Sequence, residues 1–264
     1  MQPFFFGPDD ALYGAYHPPT FDGSRPETAV VLCQSIGHEY MRAHRACWQF
    51  AQAAAARNAH VLRFDYPATG DSQGAAADAN WRAWVDSVDQ AMHWLQAYSG
   101  LNEVRIVGLR VGAMLALEAV CRAQRRQRVL LWDPVERGDR FLAGLLGEHV
   151  AYTREQNRYR ATAHRYAEAD TDEFLGFHLP TDVIEPLAAV DMGARLQGSA
   201  ARCDIARASD SDPDDAQGLA EQIALRDGRV LELPDAAGWG DVRNQFRRLA
   251  LPRSLSTLVE LATA

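Results

Sequence analysis

The chemically capable residues of this sequence gather around one pentapeptide, Gly108-Leu109-Arg110-Val111-Gly112. It follows a β-rich run at residues 103–107 and opens at once onto a helical pattern beginning Ala113-Met114-Leu115. That is the strand, turn and helix setting in which G-x-S-x-G lifts a serine nucleophile above a parallel sheet. Small residues flank such a turn because its backbone is strained and crowded. Here the central residue is arginine. A guanidinium stays protonated at physiological pH, so it can hold a carboxylate or phosphate but cannot attack a carbonyl.

The partners of a nucleophile are missing in the same way. A relay histidine is expected after the last strand, yet the final histidine of the chain is His178, and that loop reads Pro234-Asp235-Ala236-Ala237-Gly238-Trp239-Gly240. Asp210 or Asp212, after the seventh strand, is the candidate surviving acid. A second text match, Gly70-Asp71-Ser72-Gln73-Gly74, stands well past its strand with no helix directly behind it. Ser72 therefore reads as a residue closing the strand end through hydrogen bonds to backbone, ahead of a reading as nucleophile.

The segment Cys33-Gln34-Ser35-Ile36-Gly37-His38-Glu39-Tyr40 lies where half of an oxyanion hole belongs, and the other half is the main-chain N–H of Val111. Glu39 is expected beside Arg110, because a buried guanidinium without a carboxylate is heavily penalised. Two readings follow. The pair either plugs a dead site, or Arg110 anchors an anionic group while His38 acts as acid or base and Ser35 or Cys33 replaces the nucleophile. The plainer alternatives are a loop histidine bonded to backbone and a core thiol. Tyr66 and Trp239 are expected to line the pocket from neighbouring strand ends. Asp133 is either a second partner for Arg110 or a turn residue before Pro134.

These groups need a scaffold, and alternating β-rich and helical runs imply a mostly parallel sheet with helices on both faces. Eight strands are expected at residues 3–6, 12–16, 28–33, 60–64, 103–107, 128–132, 201–206 and 229–233. Helices are expected at 41–57, 81–98, 111–123, 213–226 and 241–261, the last interrupted near Pro252. Residues 136–191 break the rhythm. They mix Tyr152, Tyr159, Tyr166, Phe174 and Phe177 with charges, and read either as a small helical lid over the carboxyl edge of the sheet or as a decorated crossover.

Length and composition bound the rest. The 264 residues fit a single domain, 1–264, with the 136–191 insertion inside it. A net charge of -8 argues against a nucleic-acid partner. All 27 cationic side chains are arginine, which excludes a Walker lysine, a Schiff-base lysine and a Ser-Lys dyad. The four cysteines are scattered and no zinc signature occurs, so neither a metal nor another cofactor is called for. No leader is evident at the start, and no apolar run approaches the roughly 18 residues of a membrane span. The expectation is a soluble, cytoplasmic chain with no membrane partner.

Three motifs carry a resemblance: Val61-Leu62-Arg63-Phe64-Asp65-Tyr66 with Gly70-Asp71-Ser72, Gly108 to Ala113, and Leu130-Leu131-Trp132-Asp133-Pro134-Val135. Over roughly residues 28–191 the chain resembles the serine-aminopeptidase-like α/β-hydrolases. Within them it is most similar to the exosortase-system-associated hydrolase type 2 branch and its relatives in natural-product gene clusters. That resemblance implies the α/β-hydrolase fold and an elbow of the form G-L-R-x-G as a property of the group. The function it leads to is noncanonical action on a small acyl, ester or thioester substrate, free or carrier-linked, in a biosynthetic pathway. The alternative is an inactive pseudo-hydrolase that binds a ligand or partner.

Overall fold

In the computed structural model, residues 1–20, 23–124, 126–157, 172–211, 216–239, 241 and 253–264 are described. The chain begins with an antiparallel pair, β1 (Gln2–Phe6) and β2 (Leu12–His17), followed by β3 (Thr28–Cys33), α1 (Gly37–Ala56), β4 (Ala59–Phe64) and α2 (Trp81–Ser99). Then come β5 (Val104–Leu109), α3 (Val111–Arg122) and β6 (Arg128–Trp132). An insertion holds α4 (Gly138–Asn157), the two-residue strands β7 (Glu173–Phe174) and β8 (Phe177–His178) and α5 (Thr181–Ala188), and α6 (Met192–Gln197) follows it. The chain returns through β9 (Arg202–Arg207), α7 (Gln217–Ala224), β10 (Val230–Glu232) and α8 (Ser254–Thr263).

The main sheet has eight strands in the order β1-β2-β4-β3-β5-β6-β9-β10. β2 runs antiparallel to β4, and from β4 onward every pair is parallel. Central strands of such a sheet are covered on both faces and read as unbroken apolar runs. In β3, Ala29, Val31 and Cys33 enter one core, with α2 and α3, while Val30 and Leu32 enter the other, with α1 and α8.

Local signals fix the helix ends. Asn80 caps α2 by accepting from Ala83 N at 3.1 Å, and Gly100 ends it in the left-handed conformation at φ 71°. α1 differs from the sequence expectation by starting at Gly37 and not at Met41. His38 and Glu39 thus lie on its first turn and not in a loop, and an acidic residue there is favoured by the helix dipole.

The expected helix at 213–226 is seen as α7 over Gln217–Ala224, and α8 covers the end of the expected 241–261 segment. Asp212, Pro213 and Pro252 fall outside the described residues, as do Tyr159 and Tyr166. Among the described residues no helix is long and apolar enough to cross a membrane.

Candidate functional site

The turn after β5 keeps the strained geometry that its glycines foretell. Arg110 has φ 53° and ψ -119°, a region that side-chain-bearing residues rarely occupy, and it stands immediately before α3. Its N–H donates to the Trp132 carbonyl at 3.1 Å, and its carbonyl accepts from Ala113 N at 3.0 Å. A Cβ on Gly108 would strike the Ala113 backbone, and one on Gly112 would run into the Cys33 and Gln34 carbonyls. Both flanking glycines are therefore required by close approach. The N–H of Val111, at the first position of α3, belongs to the group of helix-start donors that have no intrahelical acceptor.

The Arg110 side chain is 16% exposed and its Nε bonds Glu39 Oε1 at 3.2 Å. Nη1 donates to the Asp133 carbonyl at 3.2 Å. Glu39, 3% exposed, takes its second bond from Ser35 Oγ at 2.6 Å on Oε2. The sequence expectation of a Glu39 partner for Arg110 thus meets a direct ion pair. The alternative of an Asp133 carboxylate partner does not hold, because that carboxylate faces elsewhere. It accepts from Ala208 N at 3.1 Å, from the Ser211 hydroxyl and from the indole N–H of Trp239. Asp133 also holds a positive φ of 45°, in keeping with a turn role.

Trp239 sits in the loop after β10, packed edge-on against Trp132 with centroids 5.8 Å apart. It is 4% exposed and belongs to the core on the α1 and α8 side, which corrects the expectation that it lines the pocket. Asp210 holds the same loop by accepting from Ala237 N at 2.7 Å and Gly238 N at 2.8 Å.

A cavity of about 320 Å³ opens beside this assembly, a size that suits a small ligand. Ser35, Ile36, Phe64, Tyr66, Trp84 and Phe177 are among its walls. Arg110, Glu39, His38, Val111 and Asp133 are not. Tyr66 is tied down through its hydroxyl, which donates to the Gln34 carbonyl at 2.8 Å. Phe177 and Leu179 bring β8 and the residues after it over the cavity, so part of the 136–191 insertion forms one wall.

Of the candidates for proton transfer and attack, Ser35 alone borders the cavity. His38 is 4% exposed and its Nε2 has no hydrogen-bond partner among the described residues. Burial lowers its pKa, opposed by Glu39 and Glu148 and assisted by Arg110, so the neutral ring is favoured. Cys33 is fully buried, and desolvation pushes its thiol far above the ordinary range. A thiol so placed does not serve as a nucleophile. Ser72 is also engaged, donating to the Asp65 carbonyl at 2.7 Å and accepting from Tyr13 N at 2.9 Å.

Sequence reasoning missed several groups. Gln34 bonds the Phe64 carbonyl through Nε2 at 3.2 Å, and Tyr40 donates to Asp65 Oδ1 at 3.0 Å. Trp84 reaches the cavity from the apolar face of α2, where its helical spacing signalled only core. Leu179, past the β7–β8 hairpin, gave no periodic signal at all.

No protein-family model matches the sequence. No curated protein matches it either. Solved structures do. Proline iminopeptidase from Mycobacterium smegmatis is similar with a TM-score of 0.60 at 14% identity, covering 95% of this chain and 94% of that one. The thioesterase domain from the curacin biosynthetic pathway gives 0.60 at 12% identity, covering 100% and 99%. The enol-lactonase from Burkholderia xenovorans LB400 gives 0.59 at 17% identity, covering 96% and 97%. At these identities the likeness is one of architecture. The chain has the α/β-hydrolase fold.

Proposed function

We propose that this chain is a small-molecule-binding protein built on a hydrolase scaffold, with its triad positions converted to structural use. The observation that carries this reading is the separation between Arg110 and the cavity: the guanidinium is spent on Glu39 and the Asp133 carbonyl, outside the cavity walls. An arginine at the elbow cannot act as nucleophile, and an indole after the last strand cannot accept a proton. The cavity itself is lined mainly by apolar and aromatic residues, with Gln34, Ser35, Asp65, Thr69 and His178 among its polar ones. That combination suits an acyl chain or aryl ring ending in a carbonyl, offered as a free ester, a thioester or a carrier-linked acyl group. Residues 176–179 of the 136–191 insertion act as the lid of this pocket. The likeness to a thioesterase domain and an enol-lactonase fits such a ligand class.

A second reading is noncanonical catalysis, and one observation favours it. Ser35 Oγ lies 2.6 Å from Glu39 Oε2 at the cavity wall, the contact a carboxylate base would make with a serine. Thermal denaturation and calorimetry with short-chain acyl and aryl esters separate the two. Ala79 also borders the cavity; binding is expected to stabilise the wild type and to vanish in Ala79→Phe, whose added ring crowds the cavity, while ester remains intact. Absence of binding across the series overturns the proposal, and turnover lost in Ser35→Ala replaces it with the second reading.

A further inference from the structure

At the opposite, amino end of the sheet the strand register does something costly. It sets Arg128 directly beside Arg202, and the pairing of Ile106 with Val129 places Arg105 beside Arg128. Three arginines on adjacent parallel strands therefore form one row, on the face covered by α8. Neighbouring strands stand about 4.8 Å apart, and like charges side by side across strands are destabilising.

The row borders a cavity of about 360 Å³, completed by Arg226, Asp227 and Gly228 before β10 and by Leu261 and Ala262 of α8. Its carboxylates, Asp204 and Asp227 in the lining and Glu103 beside Arg128, only partly offset the four arginines. Asp204 is taken by Arg229 at 2.7 Å, and Glu103 lies 3.7 Å from Arg128 with both groups half exposed. Among the described residues no carboxylate lies within ion-pairing distance of Arg105, Arg202 or Arg226.

Structural work accounts for part of the cluster only. Arg105 Nη1 donates to the Ala262 carbonyl at 3.1 Å, at the end of α8, and Arg226 Nη1 donates to the Leu196 carbonyl at 2.6 Å. Neither duty explains Arg128 and Arg202. Burial disfavours the charged form of Arg105, the charges of Arg128 and Arg229 push the same way, and Glu103 opposes them. On a chain of net charge -8, a positive row with too few partners is a concentration of field that the fold does not need.

We infer that Arg105, Arg128 and Arg202 form a binding site for a small ligand carrying a diphosphate or longer phosphate chain. Guanidinium forks match phosphate oxygens in two-point contacts, and a row of them suits successive phosphoryl groups better than a single one. The site lies across the sheet from the acyl cavity, so it is a second site and not an extension of the first.

The test is calorimetric titration of the full chain with inorganic pyrophosphate, beside sulfate at matched ionic strength, for wild type, Arg128→Ala and Arg202→Ala. Both substituted side chains are exposed at strand starts, so folding is retained. Pyrophosphate is expected to bind wild type, with affinity falling roughly tenfold or more in each variant, the effect of losing hydrogen bonds to a charged group. No binding by wild type, undiminished binding in both variants, or equal binding of sulfate overturns the inference.

Discussion

The indole N–H of Trp239 donates to Oδ2 of Asp133, joining the loop after the last strand to the carboxyl end of β6. A relay histidine in that loop would both accept and donate a proton, whereas an indole only donates. The bond thus completes the saturation of a carboxylate that is 2% exposed. Trp239→Phe leaves that oxygen buried without its donor and is expected to cost about 1–3 kcal/mol, read as a lower urea midpoint. Trp239→His keeps a donor and is expected to cost less.

The Arg110–Glu39 pair behaves as a unit. Glu39→Ala strands a mostly buried guanidinium and is expected to cost roughly 3 kcal/mol, the lower end for a broken buried pair because Arg110 keeps some solvent contact. The double variant Arg110→Ala/Glu39→Ala is expected to cost less than the two single changes added together. A denaturant-based double-mutant cycle checks this, and additive losses would show that the pair is not coupled.

Ser72 is a structural residue despite its G-x-S-x-G surroundings. A fluorophosphonate probe is expected to leave it unlabelled. Ser72→Ala is expected to cost about 1–3 kcal/mol, because the Tyr13 N–H loses its acceptor inside the fold.

Stability is expected to fall in mild acid. His17 has no solvent exposure and accepts from Arg63 Nε at 3.3 Å on Nε2, while Nδ1 faces Gln52 Oε1 at 3.0 Å. Burial first, opposed by the Gln52 hydrogen bond and assisted by Arg63, lowers its pKa from 6.5 to about 4. Between those values the unfolded chain binds more protons than the folded one, so stability rises with pH through that window. His17 alone accounts for a loss on the order of 3 kcal/mol on going from neutral pH to its folded pKa. His38 shifts in the same direction, again chiefly through burial. Chemical denaturation from pH 7 to 4 checks the sign, and His17→Gln is expected to flatten the curve.

The sheet was legible because strands such as β3 and β6 are apolar on both faces and leave no other reading for runs like Ala29–Cys33. The elbow was legible because Gly108 and Gly112 sit where backbone contacts admit no Cβ. The start of α1 was not. Its cap is Ile36, which offers no side-chain acceptor, so the first turn reads as loop and takes His38 and Glu39 with it. The Glu39–Arg110 ion pair could be anticipated from the cost of an unpartnered buried cation. Contacts such as Tyr40 with Asp65, or Asp133 with Trp239, join residues 25 and 106 positions apart and leave no local pattern to read. The β7–β8 hairpin is two residues per strand, too short for any periodicity.

The most direct test of the central claim is to follow binding and turnover together, mixing wild type with a series of acyl and aryl esters and reading thermal stabilisation alongside product release. Stabilisation that Ala79→Phe abolishes is expected, with no product above the protein-free rate. Product release that disappears in Ser35→Ala would contradict the claim.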